Sequence, residues 1–438
     1  MSSIQLISIN PDSKDLYGHW MSYDWCLHEQ ARKMGVDFVS LVNKCAGANF
    51  EHADYKWRPT FTHNTWWTIG DHLDADSAHR LRQFERECED ALMAVCNSNP
   101  VVSKVAFFYT GSLVHALALH ELACRYPYIN FCVNAFWTSV GDVDGSGRIE
   151  YWKDFLDWSV NTKNFAIFAI SHKLKGLIRQ VSGVDLLVLP HPSISFNDAE
   201  FSELRLERGI SRKVGKRTTI AIPIGMTDEK GFTRELPKLA CILRAQHPDA
   251  DIVIRATVTD GIVESAEKRW IIERLRQWAR IEDGVFTRKN FVDFLGQADV
   301  AILPYRRQSW RYRTSGLAVD LMYLGVPLVC YSGTWISDLV GQCGSGVSVR
   351  KEGAKHLASA TNEILLNLDQ YRAASHAAGE RYFSTNNWNA LVESIIGSTL
   401  VNRSADESQR SAMVPGIVTG GFWDRLYNGS AGVQDSEK

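Results

Sequence analysis

Short apolar runs alternate with stretches of helical spacing along most of the chain, in two series separated by a charged interval. In the first series, Ile4–Ile9 predicts a strand, a loop containing Gly18 leads into a helix ending near Met34 and Gly35, and Val36–Val42 predicts the next strand. Further on, Lys104–Tyr109 predicts a strand, Thr110-Gly111-Ser112 a helix start, Leu113–Cys124 a helix, and Ile129–Val133, Asn164–Ser171 and Asp185–Leu189 further strands. Strand, crossover helix and strand in this order imply a parallel sheet.

From Phe196 to Arg217 the apolar rhythm fails and charge accumulates, which predicts a linker with helical potential at Glu200–Arg208. The second series predicts strands at Thr218–Ile224, Ile252–Ala256, Val285–Thr287, Val300–Leu303 and Pro327–Tyr331, with helices at Leu236–Ala245, Glu264–Ala279, Val292–Gln297 and Leu317–Leu324 between them. The expected fold is therefore α/β, with two doubly wound Rossmann-like domains facing each other across a cleft, where ligands would bind at the carboxyl ends of the strands. The expected boundaries are 1–195 for an N-terminal domain, 196–216 for the linker, 217–380 for the C-terminal domain and 381–401 for a last helix packing back on the first. A poorly ordered tail would occupy 402–438, with Phe422-Trp423 as a local anchor.

One stretch carries more chemistry than patterning needs: Trp310 to Gly333, WRYRTSGLAVDLMYLGVPLVCYSG. Ser and Thr oxygens can take up first-turn amides of a helix, and Gly lets another group approach the backbone. A helix start of this kind attracts anions, and Arg311 and Arg313 would add charge-assisted hydrogen bonds. The alternative is an ordinary capped helix beside solvated arginines.

Composition narrows the setting. A length of 438 residues exceeds one ordinary core, and 45% hydrophobic with 22% charged residues fits a soluble globular chain. A formal charge of -2 gives no reason to expect nucleic acid. The nine cysteines show neither CxxC pairs nor interleaved histidines, which argues against a zinc site or a disulfide framework and fits a reducing compartment. The start, MSSIQLISINPDSKD, resembles no secretory leader and no apolar run reaches membrane length, so the expected location is cytoplasmic.

Four segments of the second half, in order, resemble the nucleotide-binding domain of glycosyltransferase family 4, whose members have the GT-B fold. They are IPIGMTDEKGF (Ile222 to Phe232), FVDFLGQADVAILPY (Phe291 to Tyr305), the stretch quoted above with its DLMYLGVPLV, and GTWISDLVGQCGSGVSV (Gly333 to Val349). The likeness is good from about Ala166 to Ile396, including SHKLKGLIRQ and LVLPHPS, and holds only in outline before that. It implies a glycosyltransferase that moves a sugar from a nucleotide-sugar donor to a carbohydrate or lipid-linked acceptor, with retention. Neither metal nor cofactor is expected, the nucleotide-sugar being a substrate; no Asp-x-Asp motif stands near a predicted strand end.

By the same resemblance, Lys230 and Arg313 would be the catalytic cations on the donor diphosphate, and Gly225, Thr314, Ser315 and Gly316 would line it. The family arginine after the loop glycine is Met226 here, leaving Arg313, Arg311 or Arg255 to supply the charge, with Arg313 ranked first. Of two family glutamates separated by seven residues, the second falls on Asp320, expected on the ribose. The first falls on Tyr312, which would meet the donor sugar with a phenol in place of a carboxylate.

On the acceptor side the candidates are Gly18 and His19 after the first strand, Asn134 and Trp137 in FCVNAFWTS, and His172. His191 is a weaker one, and His115 and His120 read as packed residues. Eight of fourteen tryptophans precede residue 160, including Trp66-Trp67, which hints at a carbohydrate or lipid-linked acceptor and peripheral membrane association. Two other readings stay open: a sugar-nucleotide epimerase of similar architecture, which needs carboxylate acid-base groups that the sequence does not place, and a non-catalytic nucleotide-sugar binder.

Overall fold

The computed structural model describes residues 4–14, 20–50, 54–65, 75–100, 102–137, 149–208, 217–225, 227–233, 235–256, 266–283 and 286–404. Two units make up the chain, 1–189 with 389–438, and 190–388.

The first unit contains β1 (Ile4–Asn10), α1 (Trp20–Lys33), β2 (Asp37–Asn43), β3 (Lys56–Phe61), α2 (Ala75–Ser98), β4 (Ser103–Ser112) and α3 (Leu113–Arg125). It continues with β5 (Ile129–Trp137), α4 (Ile149–Asn161), β6 (Phe165–Ala169), α5 (His172–Ser182) and the short β7 (Leu187–Val188). Its seven strands lie in the order β3-β2-β1-β4-β5-β6-β7 and pair in parallel throughout. Strands buried on both faces explain the uninterrupted apolar runs that marked them in the sequence. Thr110-Gly111-Ser112, expected to open a helix, is instead the end of β4; only Ser112 turns the corner, as the N-cap of α3.

The second unit begins at Pro190, inside the domain that the sequence ended at residue 195. It runs through α6 (Asp198–Arg208), β8 (Thr219–Ile222), α7 (Leu236–Gln246), β9 (Asp251–Ala256), α8 (Ala266–Leu275), β10 (Arg280–Asp283), α9 (Arg288–Gly296) and β11 (Val300–Leu303). Then follow α10 (Arg307–Trp310), α11 (Gly316–Tyr323), β12 (Leu328–Tyr331), α12 (Trp335–Cys343), β13 (Gly346–Val349), α13 (Ala354–Leu366) and α14 (Leu368–Phe383). The last helix, α15 (Trp388–Ser404), begins in this unit, and the chain returns to the first at Asn389. Six parallel strands form the sheet, in the order β10-β9-β8-β11-β12-β13.

Two expectations change. The strand expected at Val285–Thr287 lies earlier, at Arg280–Asp283, because Phe286 leaves the sheet to stack on Phe294 and Thr287 caps α9. The interval expected to be a linker opens as part of the second core: Phe196 and Phe201 are buried, Phe201 packs on Tyr323 and Phe383, and the Trp388 indole donates to the Phe196 carbonyl at 2.9 Å. Two apolar side chains among charges make no periodic signal, yet they carry the burial that fixes this segment. Residues 209–216 and the tail from 405, with Phe422-Trp423, lie outside the described residues.

Helix α15 buries Leu391, Val392 and Ile395, its Ile395 carbonyl lies 3.7 Å from the Cys132 thiol on β5, and Asn389 accepts from Gln30 on α1. All nine cysteines are thiols. Among the described residues, no helix is long and apolar enough to cross a membrane, and no group of His, Cys, Asp and Glu could hold a metal ion.

Candidate functional site

In a doubly wound sheet, strand order reverses at one point, and the loops leaving the two strands there diverge to open a crevice. In the second unit that point lies between β8 and β11. The loop after β8 carries Gly225 and a 3-10 turn, Asp228–Lys230; the loop after β11 carries Tyr305, Trp310, Arg313 and Thr314. Arg255 sits near the end of β9, the next strand along.

The Lys230 turn is fixed from several sides. Gly231 has φ +80°, and a Cβ there would come within 2.7 Å of the Pro304 carbonyl, so glycine alone lets the turn lie against the exit of β11. The Arg306 amide donates to the Glu229 carbonyl at 2.8 Å, and the Arg306 guanidinium pairs with Asp228 at 2.8 Å. Lys230 folds back over Gly225, where an added Cβ would stand 3.5 Å from the ammonium nitrogen. Its ammonium lies 6.0 Å from the Tyr305 ring centre and 5.8 Å from that of Trp310, and it has no hydrogen-bond acceptor among the described residues.

Electrostatics make this lysine unusual. Burial pushes its pKa below the ordinary lysine value; Glu229 pulls it up, while Arg313 and Arg255 push it further down. Arg313 is anchored to Glu229 at 2.8 Å and lies 5.8 Å from the Trp310 ring centre. Arg255 stacks on Phe291 and Phe286, at 4.6 and 5.0 Å. Three cations thus gather beside one carboxylate, Glu229, whose hydrogen-bonded partner is Arg313. A partly desolvated cation whose nearest carboxylate is already engaged gains from an incoming anion.

The Thr314-Ser315-Gly316 run divides. The Thr314 hydroxyl is buried with no hydrogen-bond partner among the described residues. Ser315 caps α11 through the Ala318 amide, so part of the helix start is satisfied within the chain. Gly316 was expected to let a phosphate approach, but the space beside it belongs to Ile194: a Cβ there would come within 2.2 Å of the Ile194 Cδ1. Gly316→Ala should accordingly destabilise the second unit by about 1–3 kcal/mol through overpacking, measured by urea unfolding. In an Ile194→Ala background the Gly316→Ala step should cost much less than it does in the wild type; an equal cost in both backgrounds would mean that Ile194 is not what the glycine accommodates.

Asp320, expected on a ribose, faces the same segment. Its two oxygens accept from the Ser193 and Ser195 hydroxyls, each at 2.5 Å, and the Ser195 amide lies 3.4 Å from one of them. The carboxyl is buried, and burial raises its pKa to about 6 against the lowering effect of those hydrogen bonds. Those bonds tie the carboxyl to the chain segment that covers the start of α11, and each oxygen keeps further acceptor capacity.

Tyr312 is half-buried outside the core cluster, with the Arg311 guanidinium 5.3 Å from its ring centre.

In the first unit, Asn134 lies on β5 fully buried, with neither amide atom hydrogen-bonded among the described residues. Trp137 ends that strand, its side chain being outside what is described, and His172 is exposed as the first residue of α5. Gly18, His19 and Trp66-Trp67 lie outside the described residues. His115 and His120 are packed: His115 meets Phe84 and Phe108 edge-on, and His120 bonds Thr162 at 2.8 Å. Burial lowers their pKa values, to about 3 and about 4. His191 is buried against Trp335.

Sequence reasoning passed over Trp310 as a contributor and ranked Arg255 low. Trp310 opens a run of four consecutive aromatic or basic residues, and only the fold shows which of them turns toward Lys230.

No family model matches the chain, and no curated protein sequence does. Solved structures match at low identity. Sucrose-phosphate synthase from Thermosynechococcus elongatus is 15% identical with a TM-score of 0.63, covering 91% of this chain and 98% of that one. The α,α-trehalose 6-phosphate synthase from Burkholderia multivorans is 12% identical with a TM-score of 0.64, covering 94% and 100%. An E. coli trehalose-6-phosphate structure bound with UDP-2-fluoro glucose is 10% identical with a TM-score of 0.61, covering 90% and 98%. These neighbours are GT-B glycosyltransferases, and the chain shares their fold: two Rossmann-like parallel sheets, as the sequence pattern and the family resemblance implied.

Proposed function

We propose that the protein is a nucleotide-sugar-dependent glycosyltransferase, similar to family 4, with its donor diphosphate seated on Lys230. One observation carries the reading: a half-buried, partly desolvated ammonium with no hydrogen-bond acceptor among the described residues, beside two arginines, at the strand-order reversal of a parallel sheet. When the bond from the anomeric carbon to the diphosphate breaks, negative charge grows on the leaving group. Cations already in place and shielded from water lower that barrier without reorganising. Lys230 supplies the first charge, Arg313 and Arg255 supplement it, and Gly225 keeps space beside the ammonium. Tyr312, next to Arg313, is assigned to the sugar.

The acceptor is a carbohydrate or a lipid-linked sugar, met by the first unit through Asn134, with Gly18, His19, Trp137 and His172 as the further candidates; the early tryptophans favour peripheral membrane association. Retention of configuration, independence of metal, a cytoplasmic setting and a place in polysaccharide or glycoconjugate synthesis follow from the family 4 resemblance and belong to the same proposal. The fold neighbours that make trehalose and sucrose phosphates add a sugar phosphate to the acceptor classes worth assaying.

A thermal-shift series with UDP, GDP, ADP and TDP tests the donor site. One of them should raise the melting temperature, as a ligand at a hundred times its Kd adds about 2.7 kcal/mol to stability. The corresponding sugar nucleotide should then release nucleoside diphosphate slowly in the absence of acceptor. Binding without any such release, under every acceptor class tried, would favour a non-catalytic binder.

A further inference from the structure

Trp310 closes α10 with its indole Nε1 buried and without a hydrogen-bond partner among the described residues. Its ring lies 4.3 Å from that of Tyr305, centre to centre, at 37°, and both Lys230 and Arg313 stand 5.8 Å from its centre. Thr314, four residues on, has the second orphaned donor of this loop, a hydroxyl on a side chain that is 2% exposed. Native chains leave few buried polar groups unsatisfied, and each asks for an explanation. An indole nitrogen can only donate, so what is missing beside Trp310 is an acceptor. The π face attracts the two cations and the N–H edge is electropositive, so the ring presents positive character at its edge while holding positive charge against its face.

We propose that Trp310 contacts the ligand directly: its indole N–H donates to an oxygen of the donor diphosphate, with the Thr314 hydroxyl as a second neutral donor. The proposal rests on the donor reading above. The chain has Met226 where family 4 has an arginine, and two neutral donors on the facing loop take over part of that arginine's hydrogen bonding. The Trp310 ring stands 5.8 Å from both Lys230 and Arg313 and takes no hydrogen bond from the lysine, whose N–H groups are thus left to the ligand.

Two substitutions separate the edge from the face: Trp310→Phe keeps a ring and removes the N–H, and Trp310→Leu removes both. Calorimetry with UDP, GDP, ADP, TDP and inorganic pyrophosphate identifies a binding probe. For that probe, Trp310→Phe should weaken affinity about tenfold, the loss of one hydrogen bond to a charged acceptor, and Trp310→Leu more. In 15N-indole NMR spectra of the wild type, the signal that vanishes in Trp310→Phe should move downfield on adding the probe. Should that variant fail to fold, Trp310→Tyr provides the assignment. Unchanged affinity in Trp310→Phe together with an unmoved indole signal, while Lys230→Met still loses the probe, would overturn the role of Trp310 and leave the donor site standing. Failure of all five probes to bind the wild type would overturn both.

Discussion

Lys230→Met should give a protein that is more stable and nearly inactive. The ammonium is desolvated, repelled by Arg313 and Arg255, and offset only by Glu229, which already pairs with Arg313. Methionine retains the length and packing against Tyr305 and Trp310 while removing the charge. A gain of about 0.5–2 kcal/mol in unfolding free energy is expected, the usual size when a strained functional group is replaced. Turnover should fall on the order of a hundred- to a thousandfold, as when a preorganised charge facing a developing oxyanion is lost. The Michaelis constant for the donor should change less than turnover, because the charge on the leaving group is greatest in the transition state. The direction of the lysine pKa shift supplies a second check. Because the folded-state value lies below that of the unfolded chain, the cost of keeping Lys230 charged is full below the folded value, falls as pH rises from there, and is gone above the unfolded value. The stability advantage of Lys230→Met should therefore shrink in alkaline solution. A variant that is less stable than the wild type at pH 7 would show that Lys230 is a structural residue.

The sheets were legible because parallel strands buried on both sides leave continuous apolar runs, and Val300–Leu303 or Ile4–Asn10 could hardly be anything else. Lys56–Phe61 was not legible: KWRPTF is an edge strand, only partly buried, with a proline inside it. At the site, order and spacing brought Gly225, Lys230, Arg313 and Thr314 into one reading, and the fold places them on adjacent loops. What spacing could not reveal was direction. Asp320 and Gly316 stand at positions that a motif would assign to a ligand, yet their side-chain space is taken by Ser193, Ile194 and Ser195, residues more than a hundred positions earlier in the chain. A contact of that sequence separation leaves no local pattern. The same applies to Arg255, whose stacking on Phe286 and Phe291 depends on the β9 exit meeting the start of α9.

Asp320→Ala should destabilise the second unit by about 2–4 kcal/mol, since it strands two buried hydroxyls and an amide, each costing about 1–3 kcal/mol less whatever relaxation recovers. Asp320→Asn should be far milder at pH 7. The amide oxygen can accept from one serine and the amide nitrogen donate to the other, and a neutral group escapes the desolvation that raises the aspartate pKa to about 6. The sign of the pH effect follows from that raised value. A carboxyl with an ordinary pKa near 3.8 in the unfolded chain and about 6 in the fold contributes most to stability below the unfolded value, and the contribution is lost as pH rises through 6. Asp24 in the first unit, held by Ser8, Asn10 and Ser40, also has a pKa raised to about 6, so the pH profile of the wild type alone mixes the two units. The difference between wild type and Asp320→Asn isolates one carboxyl: it should shift in favour of the wild type as pH falls from 7 to 4.5, measured by urea unfolding at each pH. A difference independent of pH would mean that Asp320 is solvated. A nucleoside diphosphate affinity that falls in Asp320→Asn while stability holds would return the residue to the ribose, and with it the glutamate-like role that its position in the sequence suggested.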